Sequence, residues 1–182
     1  MPSAREDATI YLGPFASIDL VNVATLYKPG ELGKHVVIGG REWQLVQLDS
    51  GAVAANGVGV VASGQLAYWK DKANYIVTND FRQALGASTG CRNEVAGLFT
   101  NAVTASYSTY LQIKGKSFVS VKLKSSSPAV GDWIVGDNTA STAQADVVAV
   151  ATAPTVQPIG KANAAGSSVT TIGVDLDVPI VE

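Results

Sequence analysis

The stretch "HVVIGGREWQLVQLD", residues 35–49, carries the strongest fold signal in the sequence. Two runs rich in β-branched, aromatic and aliphatic residues flank the pair Gly39-Gly40. A Gly-Gly pair suits the primed turns of tight β-hairpins, because both central residues of such a turn can need a positive φ. The stretch therefore predicts two antiparallel strands joined by a two-residue turn.

Further strand-like runs follow along the chain, separated by turn signals at the roughly 8–12-residue spacing typical of β-sandwiches and barrels. "NYIVTNDFRQALG", 74–86, predicts a strand over 74–78 and then a short helix, capped by Asn79 or Asp80 and ended at Gly86. Gly131-Asp132 predicts a turn that enters another strand. The predicted fold class is mainly β, an antiparallel sandwich or barrel with one short helix.

"YLQIKGKSFVSVKLK", residues 110–124, contains the letters Gly-Lys-Ser of a phosphate-binding loop. Such a loop needs a glycine five residues before its Gly-Lys pair, and that position holds Tyr110. The residues after Gly115 alternate apolar and polar, which is typical of a strand. We interpret Lys114-Gly115-Lys116 as the tip of a β-hairpin, with Gly115 supplying the positive φ of a tight turn.

Glycine and proline positions divide the chain into three parts. Residues 1–33 predict an extended N-terminal arm, residues 34–154 a β-rich core domain, and residues 155–182 a C-terminal strand or tail. Strand character in the tail is consistent with closing the sheet of the core domain or with extending to a neighbouring molecule.

The chain carries few charges. Thirteen basic and fifteen acidic residues make 15% of its 182 residues, against about 25% in an ordinary soluble domain. Small residues take their place, which favours surfaces that pack against neighbours; a weakly charged β-protein is the alternative. The net charge of -2 argues against a dedicated nucleic-acid binder. The sequence has no uncharged apolar stretch of 18 or more residues, so it predicts no membrane span. Its first residues do not resemble a secretory signal.

Residue types needed for common catalytic and metal sites are scarce. One cysteine, Cys91, and one histidine, His35, leave too few ligands for zinc and no evident nucleophile–base pair. Asp175 and Asp177 form D-x-D, which would bind Ca²⁺ only if other oxygens converge there. The sequence therefore predicts no enzyme, no cofactor and no metal.

One charge pattern is informative. Lys114, Lys116, Lys122 and Lys124 make residues 110–124 basic, while Asp175, Asp177 and Glu182 make the tail acidic. Within one subunit these charges would pair at the surface for little gain in stability. Between subunits they would set register and partner choice, and this is the hypothesis we favour.

Four segments resemble the head-decoration (cement) proteins of tailed bacteriophages over residues 30–160. They occur in the order "LGKHVVIGGREWQLVQLDSGA", "GQLAYWKDKANYIVTND", "RNEVAGLFTNAVTASYSTYLQIKGK" and "AVGDWIVGD". The shared pattern is an "AGLF" strand, a tyrosine-led "YLQIKGK" segment and a later "GDWIV" strand.

The resemblance implies a structural virion protein, made in the host cytoplasm, that binds the outer surface of an icosahedral capsid. Its partners would be the major capsid protein and itself, as homotrimers at three-fold and local three-fold positions that cement neighbouring capsomers. Neither nucleic acid nor a membrane would be a partner. By the same analogy, contacts between subunits or with the capsid would come from the arm, the lysine pair and the tail: Tyr11, Leu12, Phe15, Ile18, Leu20, Lys114, Lys116, Val174, Leu176 and Val178.

Two other classes of protein fit the same composition. A tail or head–tail connector component would use a similar β-rich, weakly charged chain in few copies. A carbohydrate-binding module or adhesin would need aromatic stacking platforms. The candidates for such platforms are Trp43, Trp69, Trp133, Tyr107 and Tyr110.

Overall fold

A computed structural model describes residues 32–51, 60–80, 83–85, 91–137 and 144–179. Fourteen strands and one three-residue 3₁₀ helix, Cys91–Asn93, are present in these ranges. The strands are β1 His35–Ile38, β2 Arg41–Leu48, β3 Val60–Val61, β4 Leu66–Asp71, β5 Ile76–Thr78, β6 Val95–Phe99, β7 Val103–Thr104, β8 Ser108–Lys116, β9 Val121–Ser126, β10 Trp133–Gly136, β11 Ala145–Val148, β12 Pro158–Ala162, β13 Val169–Ile172 and β14 Val174–Asp177.

The hairpin predicted from the opening stretch is confirmed. Strands β1 and β2 pair antiparallel, with Ile38 opposite Arg41 at the turn. Gly39 and Gly40 have φ angles of 59° and 74°, as a primed turn requires. Ahead of β1, the Gly33 backbone N–H donates to the Leu45 carbonyl oxygen at 2.7 Å, so the chain enters the sheet beside β2.

Five strands close into a barrel, which confirms the mainly β fold class. Around the barrel the order is β2, β5, β4, β6 and β8, and β8 pairs back to β2. Only the β2–β5 pair in this ring is parallel. Side chains of these strands form one apolar core with Val61 of β3 and Val103 of β7, which pair in a separate two-stranded sheet. The members from the barrel strands are Val46, Leu48, Ala67, Trp69, Val77, Ala96, Phe99 and Leu111.

Beyond β8 the sheet continues through β14, β12, β10, β11, β9 and β13. A second core includes side chains from this extension and the opposite faces of β4, β6 and β8. Its largest members include Tyr68, Leu98, Ile113, Leu123 and Ile134, each at most 1% exposed. The barrel and the extension are therefore packed together through a shared hydrophobic layer.

Residues 155–179 are part of this sheet. β12 and β14 pair with each other, and they join β10 on one side to β8 on the other. Of the two possibilities for the tail, closing the sheet is the one observed in this chain. The sheet continues across the predicted boundary at residue 154: β12 and β14 lie in its middle and β13 at its end.

The predicted hairpin tip at Lys114-Gly115-Lys116 is wrong. Gly115 has a positive φ of 87°, but it lies inside β8, opposite Leu176 of β14. The chain turns later, at 117–120, and the following strand β9 pairs with β11 and β13 instead of β8. The positive φ serves a close approach: a Cβ at Gly115 would lie 2.6 Å from the carbonyl oxygen of Gly40.

The predicted short helix lies partly outside the described residues. Within them, the Gln83 backbone N–H donates to the Asp80 carbonyl oxygen at 2.9 Å, a 3₁₀-type bond. The turn between β4 and β5 is organised by Asp71, whose carboxylate accepts hydrogen bonds from the Asn74 side chain at 2.7 Å and the Asn74 backbone N–H at 3.2 Å. These bonds lower the pKa of Asp71, the side-chain bond having the largest effect.

Candidate interaction surfaces

The structure brings the predicted lysine pair and the acidic D-x-D together in one chain. Strand β8 carries Lys114 and Lys116, strand β14 carries Asp175 and Asp177, and the two strands are adjacent and antiparallel. Lys116 lies directly opposite Asp175, and Lys114 directly opposite Asp177. Residues directly opposite in an antiparallel pair share one face of the sheet, so all four side chains project from the same surface.

Neighbouring strands extend this surface with further charges. On β2, Glu42 lies opposite Lys114, and their side chains form an ion pair with a 3.5 Å separation. On β12, Lys161 lies opposite Asp175. We call these six residues the charged face: Glu42, Lys114, Lys116, Lys161, Asp175 and Asp177.

The sign of charge on the charged face alternates from strand to strand. Strand β2 contributes a negative charge, β8 two positive charges, β14 two negative charges and β12 a positive charge. The lysines on β8 and β12 and both aspartates are exposed. Three charges of each sign leave the face with no net charge, and opposite charges across each strand pair favour this register over its alternatives.

A groove of about 440 Å³ lies at the β10–β12–β14 side of the charged face. Its lining includes Trp133, Gln157, Lys161, Asp175 and Asp177. The Lys161 ammonium group lies 4.3 Å from the centre of the Trp133 ring, a cation–π contact that covers one ring face. The groove is therefore polar at its walls and has one aromatic side.

A second surface is apolar. The buried carboxylate of Asp132 accepts a hydrogen bond from the Ala129 backbone N–H at 2.8 Å and one from the Val150 backbone N–H at 2.9 Å. One side chain thus fixes two turns next to each other. These turns expose Val130 to 64% and Val150 to 55% of their areas. We define the apolar tip as the exposed residues of these turns: Ala129, Val130, Ala149, Val150 and Ala151.

No charged residue occurs between Asp146 and Lys161 in the sequence. The apolar tip is therefore a fixed, uncharged projection whose valines remain in contact with water. The exposed alanine and valine side chains of the two turns form a small apolar surface, which we treat as a candidate contact surface.

A third feature surrounds Phe118, which is 43% exposed. Its ring packs edge-on against Trp43 at 6.3 Å, and the Arg41 guanidinium lies 5.6 Å from the ring centre. The buried Gln112 side chain fixes this turn: it accepts from the Phe118 backbone N–H at 2.7 Å and donates to the Lys116 carbonyl oxygen at 2.9 Å.

The structure corrects the contact role expected for the tail. Val174, Leu176 and Val178 are 0%, 3% and 4% exposed and belong to the second core. Their side chains alternate with the exposed aspartates of β14, so the apolar side of this strand faces the inside of the molecule. They are therefore unavailable to another subunit in this fold. The arm residues Tyr11, Leu12, Phe15, Ile18 and Leu20 lie outside the described residues.

The tryptophans do not form an exposed set of stacking platforms. Trp43 and Trp69 are each 2% exposed, and Lys161 covers one face of Trp133. Tyr110 is 7% exposed, and Tyr107 packs against the barrel core. Of the five candidate stacking residues, Trp133 is the one whose ring lies in a groove, and one face of that ring is already covered by Lys161.

Sequence reasoning missed the roles of Gln112 and Asp132. Gln112 bonds to the nearby residues 114–118 and Asp132 to the nearby Ala129, whereas its second partner, Val150, becomes a neighbour only in the fold. The charge-free run from 147 to 160 was the available signal for the apolar tip. Among the described residues, no three His, Cys, Asp or Glu side chains are grouped to hold a metal ion. No helix in these ranges is long and apolar enough to cross a membrane.

Comparisons with known proteins give no match to a family model and no match to a curated protein.

Proposed function

We propose that the protein is a head-decoration (cement) protein of a tailed bacteriophage. In this role it binds the outer surface of the icosahedral capsid as a homotrimer at three-fold and local three-fold positions, and it links neighbouring major capsid proteins. The sequence resemblance over residues 30–160 suggests the class of protein. The observation that carries the proposal is the apolar tip, a fixed and uncharged contact surface on a β-barrel scaffold.

The apolar tip suits binding to a repetitive protein surface. Burying a valine side chain fully contributes on the order of 1.5–3 kcal/mol, so two valines per subunit give a modest contact. Several such contacts in one symmetric assembly bind together far more strongly than each does alone. Turns already held by Asp132 also lose little conformational freedom on docking, which leaves more of the contact energy for binding.

A co-sedimentation experiment tests the role of the tip. Purified protein is mixed with capsids of the source phage that lack this chain, and the bound fraction is measured after pelleting. We expect the variant Val130→Asp/Val150→Asp to lose at least about tenfold in affinity, because two charges would be desolvated at the contact. The matched control is Ala102→Asp/Thr104→Asp, which adds the same two charges at exposed positions outside the tip and the charged face.

Unchanged binding of the Val130→Asp/Val150→Asp variant would contradict the role of the tip, and failure of the wild-type chain to bind would contradict the proposed function. A second variant addresses the arm, which is included in the proposal by resemblance only. Deleting residues 1–20 should weaken capsid binding while leaving the melting temperature unchanged. Loss of the cooperative melting transition would count against a contact role for the arm.

A further inference from the structure

We propose that the charged face binds a second copy of this chain through a two-fold contact. The inference goes beyond the proposed function and does not depend on it, because it rests on the arrangement of charges on the sheet. The face presents the sequence of signs negative, positive, negative, positive on β2, β8, β14 and β12.

This arrangement is self-complementary. Consider a two-fold axis that lies in the contact plane, parallel to the strands and midway between β8 and β14. Rotation about it places β14 of the second copy over β8 of the first, and β12 of the second copy over β2 of the first. Every positive strand then meets a negative strand. A two-fold contact uses the same patch on both copies, so each pairing occurs twice.

The residue pairs follow from the register within one chain. Lys116 and Asp175 lie opposite each other, as do Lys114 and Asp177. The rotation exchanges the two strands without moving residues along them, so Lys116 of one copy faces the second copy's Asp175, and Lys114 faces the second copy's Asp177. Four opposite-charge pairs thus form around the axis.

Charge complementarity also distinguishes this partner from others. A surface with one sign of charge would meet repulsion at two of the four strands. An apolar surface would remove six charged groups from water and offer them no new hydrogen bonds or ion pairs. A second copy satisfies all four strands at once. Icosahedral shells contain two-fold as well as three-fold axes, so this contact is compatible with trimers.

The contact should be weak and dependent on salt, because its charges are exposed. We expect sedimentation equilibrium of the full-length protein to show reversible association that decreases as salt is raised from about 0.05 M to about 1 M, where the screening length falls to roughly 3 Å. A wild-type chain that remains monomeric at low salt, or that associates equally at both salt concentrations, would overturn the proposal.

Charge reversal gives the decisive test. The variants Lys114→Glu/Lys116→Glu and Asp175→Lys/Asp177→Lys should each lose self-association by at least about tenfold, since like charges then face each other. An equimolar mixture of the two should associate again, because the acidic face of one complements the basic face of the other. Each variant still has like charges across its own β8–β14 pair when the two are mixed. Association regained in the mixture therefore comes from contacts between molecules and not from a change within one molecule.

The matched control is Lys122→Glu/Lys124→Glu, which reverses two alternate lysines on β9 and should leave association unchanged. Association retained by the charge-reversed variants, or failure of their mixture to recover it, would overturn the proposal. Folding of each variant is checked by circular dichroism.

If the two charge-reversed variants do not fold, a chain with all six charges inverted keeps opposite charges across every strand pair of the charged face. Its substitutions are Glu42→Lys, Lys114→Asp, Lys116→Asp, Lys161→Asp, Asp175→Lys and Asp177→Lys. It should self-associate like the wild-type chain but form no mixed pairs with it in native mass spectrometry. Mixed pairs at the statistical frequency would overturn the proposal.

Discussion

At the scale of single residues, two buried polar side chains hold the exposed parts of the surface. Gln112 fixes the turn that presents Phe118, and Asp132 fixes the two turns of the apolar tip. Each forms hydrogen bonds with backbone groups of turns, which have no partner in a strand ladder. A buried backbone group without a hydrogen-bond partner destabilises the fold. The turn residues Gly39-Gly40 and Gly131-Asp132 could be predicted from the sequence because their signals are local. The bond from Val150 to Asp132 could not, since it joins residues 18 apart that only the fold brings together. The partners of Gln112 are close in sequence, but no local pattern marks its side chain as buried.

Replacing Gln112 with methionine should destabilise the protein by about 1–3 kcal/mol, because the partly buried Phe118 N–H would lose its acceptor. The Lys116 carbonyl oxygen would keep only its bond from the Arg41 side chain at 2.8 Å. Urea denaturation followed by tryptophan fluorescence measures the free energy of unfolding. The control is Gln157→Met, at an exposed position, which should change it by less than about 0.5 kcal/mol. Equal effects of the two substitutions would contradict the role of Gln112.

Replacing Asn74 with alanine should raise the pKa of Asp71 toward its ordinary value, because the side-chain bond that contributes most to lowering it is removed. A carboxyl group with a lowered pKa in the folded state stabilises the protein above its unfolded-state pKa. That contribution is lost as the pH falls through the folded-state pKa, and it should be smaller in the variant. An NMR titration of the Asp71 carboxyl carbon measures the pKa, and identical titration curves would refute the assignment.

At the scale of elements, β8 is the strand that joins the barrel to the sheet extension. It pairs with β2, which closes the barrel, and its last residues pair with β14, the first strand of the sheet extension. The Lys-Gly-Lys letters within it predicted a turn, because a glycine between polar residues is a common turn signal. In the fold Gly115 instead allows the β1–β2 turn to approach closely. The sequence pattern thus predicted the positive φ of Gly115 correctly. The reason for it, the close approach of the β1–β2 turn, lies far away in the chain.

Replacing Gly115 with alanine should cost about 3 kcal/mol or more, because the positive φ is unfavourable for alanine and the new Cβ would lie 2.6 Å from the Gly40 carbonyl oxygen. Gly131 offers a matched control: its φ is 89°, and an added Cβ would meet nothing within 4 Å. Gly131→Ala should therefore cost only about 1–2 kcal/mol. Thermal and urea unfolding of both variants measure the difference, and equal losses would show that close packing at Gly115 is unimportant.

At the scale of the whole molecule, a closed barrel and a sheet extension share one hydrophobic layer. Several strands could be predicted from the alternation of apolar and polar residues, and several turns from their glycines. The predicted mainly β class is correct for this reason. The order of strands could not, since the pairing of β8 with β14 joins segments about 60 residues apart in the chain, and local pattern does not report on distant pairing. The sequence therefore left open whether the tail closes the sheet or extends to a neighbour, and in the fold β12 and β14 lie centrally and β13 at the end of the sheet.

Removing residues 155–182 should abolish cooperative unfolding. The deletion takes away β12, β13 and β14 and uncovers the core side chains Ile113, Leu123 and Ile134. Calorimetry and one-dimensional NMR of the truncated chain measure the loss. A truncated chain that melts cooperatively near the wild-type temperature would contradict the central place of β12 and β14 in the twelve-stranded sheet.

The most direct test of the proposed capsid role is the copy number of this chain in density-purified particles of the source phage, measured by quantitative peptide mass spectrometry. We predict a ratio near one copy per major capsid subunit, as expected for homotrimers at all three-fold and local three-fold positions. A few copies per particle would instead identify a tail or connector component. Absence from the particles would contradict a virion role altogether.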